Sequence, residues 1–227
     1  MKKNFWEDFA NADAEYYILT ENPYPSNTKE GRAYFFKSGE ELTENLLKDV
    51  KEYIDFKGAV CEIGCGVGRL LIPHARSFNK AVGVDISQTM LNKLMDNAKE
   101  FKVNNITPYL PSEQWYKDDF SYVYSFIVFQ HIANIEIIKD YIIKIAGSLQ
   151  KNGIAKLHFD TRKQSFSYLL RNALPDFILP RTQRKGIRRI RRNPDDLKEI
   201  FNAANLKMLK ESDPGTEDHV FILQKNF

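Results

Sequence analysis

The sequence predicts an α/β fold: a doubly wound, mostly parallel sheet of seven strands, closed by an antiparallel C-terminal hairpin. Three observations carry that expectation. Short apolar runs alternate with helix-period segments from about residue 59 to residue 159, the rhythm of right-handed strand–helix–strand crossovers. A glycine-rich turn, Gly64-Cys65-Gly66-Val67-Gly68, follows the first of those runs. Two strand-like segments flank Asp213-Pro214-Gly215 near the end of the chain, which reads as a hairpin turn.

The elements follow in order. Residues 1–37 hold Trp6, Tyr16, Tyr17, Tyr34, Phe35 and Phe36 without a clean period, and are expected to form an aromatic arm or cap. Ser38-Gly39-Glu40-Glu41 has the form of a capping box, with Leu42, Leu46, Leu47, Val50 and Ile54 behind it at helical spacing, so a helix is expected to start there. Ala59 to Ile63 is the first strand, Leu70 to Ala75 a short helix, and Ala81 to Asp85 the second strand. Ser87 caps a helix running to about Phe101. Ile106 to Leu110 and Tyr122 to Ser125 are strands three and four, Ile135 to Leu149 is helical, and Asn152-Gly153 opens strand five at Ile154 to Phe159.

An insert over 161–193 then breaks the rhythm with a helix from Ser165 to Ala173, a proline-bounded segment, and the basic run RTQRKGIRRIRR. Asn193-Pro194-Asp195-Asp196 restarts a helix, with a cap, a proline in the first turn and two acids facing the dipole. Asn205 suits a left-handed exit, and Leu206 to Glu211 with His219 to Gln224 supply the hairpin strands.

With 227 residues, 43% of them hydrophobic, the chain is expected to form a single domain over 1–227. A net charge of +3 does not mark the whole molecule as a polyanion binder. The two cysteines, Cys61 and Cys65, form neither a disulfide framework nor a four-ligand zinc pattern, which points to a reduced, cytoplasmic protein without a metal. The longest apolar run, Tyr122 to Phe129, falls far short of the ~20 residues of a spanning helix, so no membrane anchor is expected.

A glycine turn at the end of a first strand is where nucleotide-type ligands sit in such sheets. Asp85, seventeen residues after Gly68 at the end of the next strand, is placed to accept hydrogen bonds from ribose hydroxyls. The spacing departs from the dinucleotide GxGxxG, because Arg69 stands where the third glycine would be, which disfavours an oxidoreductase.

Glu62 followed by Gly64, Gly66 and Gly68, with Asp85 ending strand two, resembles the first two motifs of the class I S-adenosylmethionine-dependent methyltransferases, of the bacterial small-molecule type. VGVDISQTMLNKLMDNA, FSYVYSFIVFQHI and LQKNGIAKLHF resemble the family's second strand and helix, fourth strand and loop, and fifth strand. The resemblance implies a Rossmann-like fold, S-adenosyl-L-methionine as cofactor and S-adenosyl-L-homocysteine as product. It implies a cofactor site of Glu62, Gly64, Cys65, Gly66, Gly68, Arg69 and Asp85, with Ile86 and Met90 by the adenine, although Met90 at helical spacing also suits a core. Ser112 or Glu113 would meet the adenine amino group, and Phe126, Gln130 and His131 would wall the pocket. Two positions depart from the family: Ser121 replaces an acid at strand four, and no aspartate clearly follows strand three.

Two residues are candidate general bases. His131, after strand four, could take a proton from an acceptor hydroxyl or simply bind the loop or cofactor. Asp160, ending strand five, could do the same or pair with Arg162. Arg181, Arg184, Lys185, Arg188, Arg189, Arg191 and Arg192 form either a solvated face or an anion site. The expected function is methyl transfer to a small-molecule acceptor, for which a phosphorylated metabolite or nucleotide-linked sugar would suit the basic run. RNA methylation and a non-catalytic cofactor-binding protein are the alternatives. Nucleic acid is not the expected partner, because SFIVFQHI lacks the Asn/Asp-Pro-Pro-aromatic signature of amine-directed nucleic-acid methyltransferases.

Overall fold

A computed structural model of the chain describes residues 5–175, 177–179, 184 and 187–225. Its elements are α1 (Phe5–Ile18), α2 (Lys29–Lys48), β1 (Ala59–Ile63), α3 (Leu71–Ala75), β2 (Lys80–Val84), α4 (Gln88–Glu100), β3 (Ile106–Tyr109), β4 (Phe120–Ser125), α5 (Ile135–Ser148), β5 (Leu149–Phe159), α6 (Phe166–Ala173), α7 (Pro194–Ala203), β6 (Leu206–Ser212) and β7 (His219–Lys225). The seven strands form one sheet in the order β3-β2-β1-β4-β5-β7-β6. β1 runs parallel to β2 and β4, β2 parallel to β3, and β6 antiparallel to β7, as the sequence predicts. The chain divides into two compact units, Met1–Tyr124 with Ser148–Ile154, and Ser125–Gly147 with Ala155–Phe227.

Every residue of β1 and β4 is buried, the pattern of strands covered on both faces. Ser87 caps α4 by accepting from the Met90 amide at 3.1 Å, so Asp85 is free of that duty. Ser121 is fully buried and its hydroxyl donates to Asp55 O at 2.7 Å. Cys61 and Cys65 are free, buried thiols whose pKa burial raises.

The N-terminal segment differs from the aperiodic arm the sequence suggests: it is largely helical. In α1, Asp13 has a non-helical backbone (φ −165°, ψ 89°) and its Oδ1 accepts from the Tyr16 amide at 3.1 Å, so two short helical pieces meet at a kink that scrambles the apolar period. Ser38 does not begin a helix. α2 starts ten residues earlier, capped by Thr28, whose hydroxyl accepts from the Gly31 amide at 3.0 Å. Ser38 instead donates to the Phe35 carbonyl at 2.9 Å from within the helix, and Gly39 is glycine because a side chain there would overlap the Arg69 backbone. β5 also starts earlier than Asn152-Gly153 suggests, since Asn152 takes a left-handed φ of 63° without ending the strand.

In the second unit Phe129 stacks on Phe159 at 5.3 Å, and Phe201 and Phe221 complete the aromatic core. Ser165 caps α6 through the Tyr168 amide, and Asn193 caps α7, both as expected. Asn205 takes the left-handed exit at φ 57°. α6 turns Tyr168 inward, while Phe166 is 81% exposed and Leu169 and Leu170 are exposed as well. Among the described residues no helix is long and apolar enough to cross a membrane.

Candidate functional site

In the first unit the turn after β1 is built from three left-handed glycines, Gly64 (φ 79°), Gly66 (φ 52°) and Gly68 (φ 91°). An L side chain in that region costs about 1–2 kcal/mol, so three positions in five require glycine. The turn is tied to β2: the amides of Gly64 and Cys65 donate to Val84 O at 2.7 and 3.1 Å. Asp85 closes it, its Oδ2 accepting from the Gly66 amide and its Oδ1 from the Ser87 amide, both at 2.9 Å. Burial lifts Asp85 to a pKa of about 6 against the pull of those amides. A carboxylate offers about four acceptor positions, so it keeps capacity for a ligand hydroxyl. Ile86 beside it is 55% exposed, an apolar surface open to a flat ligand, whereas Met90 is in the core.

Glu62 lies beneath the turn, 3% exposed, accepting from the Tyr124 hydroxyl at 2.9 Å. Burial raises it to about 8, although Tyr124 and Arg69 both favour its charged form. Arg69 is itself held by the hydroxyl of Ser38 at 3.2 Å. After β3, Glu113 accepts from the Leu110 amide at 2.6 Å and closes a turn, with Ser112 exposed next to it.

Several supports of this turn escaped the sequence. Ile18 of α1 fills the space a Gly66 side chain would take, with its Cδ1 2.8 Å from an ideal Cβ, and Leu94 of α4 does the same at Gly68. Asn97 donates to Val67 O at 2.9 Å and accepts from Arg32, which pairs with Glu15 and Glu100 at 2.5 Å. Glu7 sits at the amino end of α4, accepting from Ser87 Oγ at 2.6 Å and from the Thr89 hydroxyl. These hydrogen bonds hold its carboxyl below the usual range, and a carboxylate there also suits the helix dipole. No local spacing announces pairs up to 82 residues apart.

In the second unit Gln130 and His131 lie in a 3-10 turn, Phe129–His131, beyond β4. Gln130 is fully buried, and neither its Oε1 nor its Nε2 finds a hydrogen-bond partner among the described residues. Burial and the Arg189 charge lower His131 to about 4. Phe126 packs its ring 4.9 Å from His158. Asp160 is fully buried in a two-pronged pair with Arg162, Nε to Oδ1 at 3.0 Å and Nη2 to Oδ2 at 2.5 Å.

The basic run reaches the same end of the sheet: the Ile190 amide donates to Gln130 O at 2.7 Å and the Arg192 amide to Asp160 O at 2.8 Å. Arg181 and Lys185 lie outside the described residues. Arg184 donates to Leu179 O at 3.1 Å, Arg189 pairs with Glu217 at 3.0 Å, and Arg192 donates to Ile132 O at 2.7 Å. Among the described residues no group of three His, Cys, Asp or Glu could hold a metal ion.

Residues 60–153, which contain the glycine turn and Asp85, match the sequence family described as methyltransferase domain. No curated protein matched the chain by sequence. Among solved structures, the CcbJ methyltransferase from Streptomyces caelestis is similar at a TM-score of 0.68 and 15% identity, with 100% of both chains covered. Magnesium protoporphyrin IX methyltransferase (ChlM) from Synechocystis PCC 6803, solved with bound SAH, gives 0.66 and 16%, covering 97% of this chain and 98% of that one. An S-adenosylmethionine-dependent methyltransferase from Clostridium acetobutylicum ATCC 824 gives 0.65 and 14%, covering 99% and 100%.

At such identities these likenesses establish a shared fold, that of the Rossmann-like methyltransferases. Residues 60–153, which hold the turn and Asp85, match the methyltransferase-domain family, and the fold around them is one shared with S-adenosylmethionine-dependent methyltransferases.

Proposed function

We propose that this enzyme transfers the methyl group of S-adenosyl-L-methionine to a small-molecule acceptor that carries an anionic group, in the cytoplasm, where its buried thiols stay reduced. The observation that carries the donor assignment is Asp85 clamping the Gly66 amide while keeping acceptor capacity beside the uncovered Ile86. In this reading Asp85 holds the ribose hydroxyls, Ile86 lies against the adenine, and Glu62 sets the electrostatics of the glycine turn near the donor's ammonium. Ser112, exposed after β3, stays the candidate for the adenine amino group, Glu113 being committed to its own turn. Gln130, with a buried amide the described chain leaves without a partner, is proposed to hydrogen-bond ligand.

When bound, the donor supplies a methyl group on positively charged sulfur, open to in-line displacement. The protein's contribution is then alignment and exclusion of water. His131 is the candidate proton acceptor, and a weak one, since it stays neutral down to a pH of about 4. Asp160 is committed to Arg162 and anchors that guanidinium. Support for an anionic acceptor comes from Arg171, Arg188 and Arg191, which make no ion pair with a carboxylate among the described residues.

Calorimetry with S-adenosylmethionine, S-adenosylhomocysteine and NAD tests the donor, and binding of NAD alone would end this reading. A metabolite screen with labelled methyl donor tests the acceptor. Labelling of RNA in preference to metabolites, with steep salt dependence, would replace a small molecule by a nucleic acid.

A further inference from the structure

Beyond β5, in the second unit, lies a cavity of about 170 Å³ whose lining includes Arg162, Tyr168, Arg171, Arg188, Arg189 and Arg191. Five guanidiniums around so small a space repel one another unless negative charge is brought in. Part of that charge is built in. Arg162 pairs with Asp160 at 2.5 Å and Glu217 at 2.7 Å, and Arg189 shares Glu217 at 3.0 Å.

Arg171, Arg188 and Arg191 have no carboxylate of their own among the described residues. Arg191 is oriented instead by the Lys163 carbonyl at 2.7 Å and by the Tyr168 ring, 4.6 Å below its guanidinium carbon. Buried nitrogens of Arg188 (Nη1) and Arg191 (Nε) have no hydrogen-bond acceptor in the described chain. The lining is also held in place: the Tyr168 hydroxyl accepts from the Arg191 amide at 3.0 Å, and Gln164 donates to Arg191 O at 3.0 Å. An exposed arginine face would leave its guanidiniums in water, not gather them around one hollow braced by fixed backbone contacts.

We propose that this cavity is a subsite for a phosphate monoester dianion borne by the methyl acceptor. The proposal rests on the anionic-acceptor reading and gives that anion a chemistry and a location. A carboxylate presents two oxygens in a plane and one negative charge, enough for a single guanidinium fork. A phosphate ester presents three terminal oxygens in a tetrahedral spread and up to two charges, which suits three guanidiniums approaching from α6 and from 188–191. A hollow of about 170 Å³ admits such a group but no large polyanion.

The test uses the full chain with S-adenosylhomocysteine present and measures binding of inorganic phosphate, phenyl phosphate and acetate by calorimetry. Both phosphates are expected to bind at least ten-fold more tightly than acetate, with phenyl phosphate no weaker than inorganic phosphate. Arg188→Gln and Arg171→Gln should each weaken phenyl phosphate at least ten-fold and leave S-adenosylhomocysteine affinity within two-fold, which shows that the fold survives. Equal binding of acetate and phosphate, or unchanged affinity in both variants, overturns the subsite. Binding of inorganic phosphate without the ester overturns its assignment to the acceptor. If S-adenosylhomocysteine fails to bind the unmodified protein, the methyltransferase reading falls separately, because phosphate binding can be measured without it.

Discussion

The backbone amide of Ile127 donates to Nδ1 of His158 across 3.2 Å, and it does so from a left-handed backbone, φ 56°. A β-branched residue held there stores about 1–3 kcal/mol. The other ring nitrogen of His158 faces Asp218 Oδ1 at 3.4 Å, so the proton belongs on Nε2 and Nδ1 is left to accept. Burial lowers the His158 pKa and keeps the ring in that neutral form. Ile127 lies just beyond the carboxyl end of β4, the side of an α/β sheet where ligands bind. His158→Ala is therefore expected to lower kcat about ten-fold or more, with cofactor affinity changed far less. Adding Ile127→Gly, which removes the strain, should restore part of the loss. Steady-state kinetics beside calorimetry on the two variants checks this, and a loss in cofactor affinity equal to that in kcat would assign His158 to general stability.

Asp85→Ala removes the acceptor of both the Gly66 and Ser87 amides as well as the proposed ribose partner. Losing hydrogen bonds to a charged group costs about 1.5–3 kcal/mol each, so S-adenosylhomocysteine is expected to bind at least ten-fold more weakly. Asp85→Asn keeps one oxygen for Gly66 and should fall between the two. Titration calorimetry ranks the three proteins.

Gly66→Ala carries two separable penalties. The left-handed φ costs about 1–2 kcal/mol, and the new methyl meets Ile18 Cδ1 at 2.8 Å. Ile18 is the flexible end of a side chain, so Ile18→Ala in the same protein should relieve the second penalty and leave the first. Urea denaturation of the single and double variants separates them.

Glu62 gives a pH signature of known sign. Its pKa rises from 4.5 to about 8 on folding, so between those values the folded chain holds a proton that the unfolded chain has lost. Its contribution is full below pH 4.5 and is lost as pH rises through 8. Glu62→Gln has no such proton. The difference in melting temperature should shift toward the variant between pH 5 and pH 8, by at least about 3 °C. His131 works in the opposite sense, its pKa falling from 6.5 to about 4, so it destabilises the fold as pH falls through that window. That effect is common to both proteins and cancels in the comparison.

The β1 strand, the glycine turn and Asp85 were legible because their signals are local: an apolar run, three glycines at alternate positions and one acid at the end of the next run. The capped starts of α4, α6 and α7 were legible for the same reason, each written in one serine or asparagine. What the sequence hid is non-local or broken. The kink at Asp13 divides α1, and the partners that give it purpose, Ser87 for Glu7 and the Gly66 backbone for Ile18, lie far along the chain. Ser38 misled because serine, glycine and two glutamates mimic a helix start, although the glycine answers to the Arg69 backbone and the serine to the Arg69 guanidinium. The link from His158 to Ile127 spans 31 residues and depends on a backbone angle that no residue type declares.

The outward apolar face of α6 bears on how the protein behaves in the tube. Phe166 on α6 and Phe177 after it each leave more than four-fifths of their surface in water, and exposed rings of that kind tend to meet other apolar surfaces. Concentrated samples should scatter light out of proportion to their content, and a trace of mild detergent should clear them without unfolding the protein.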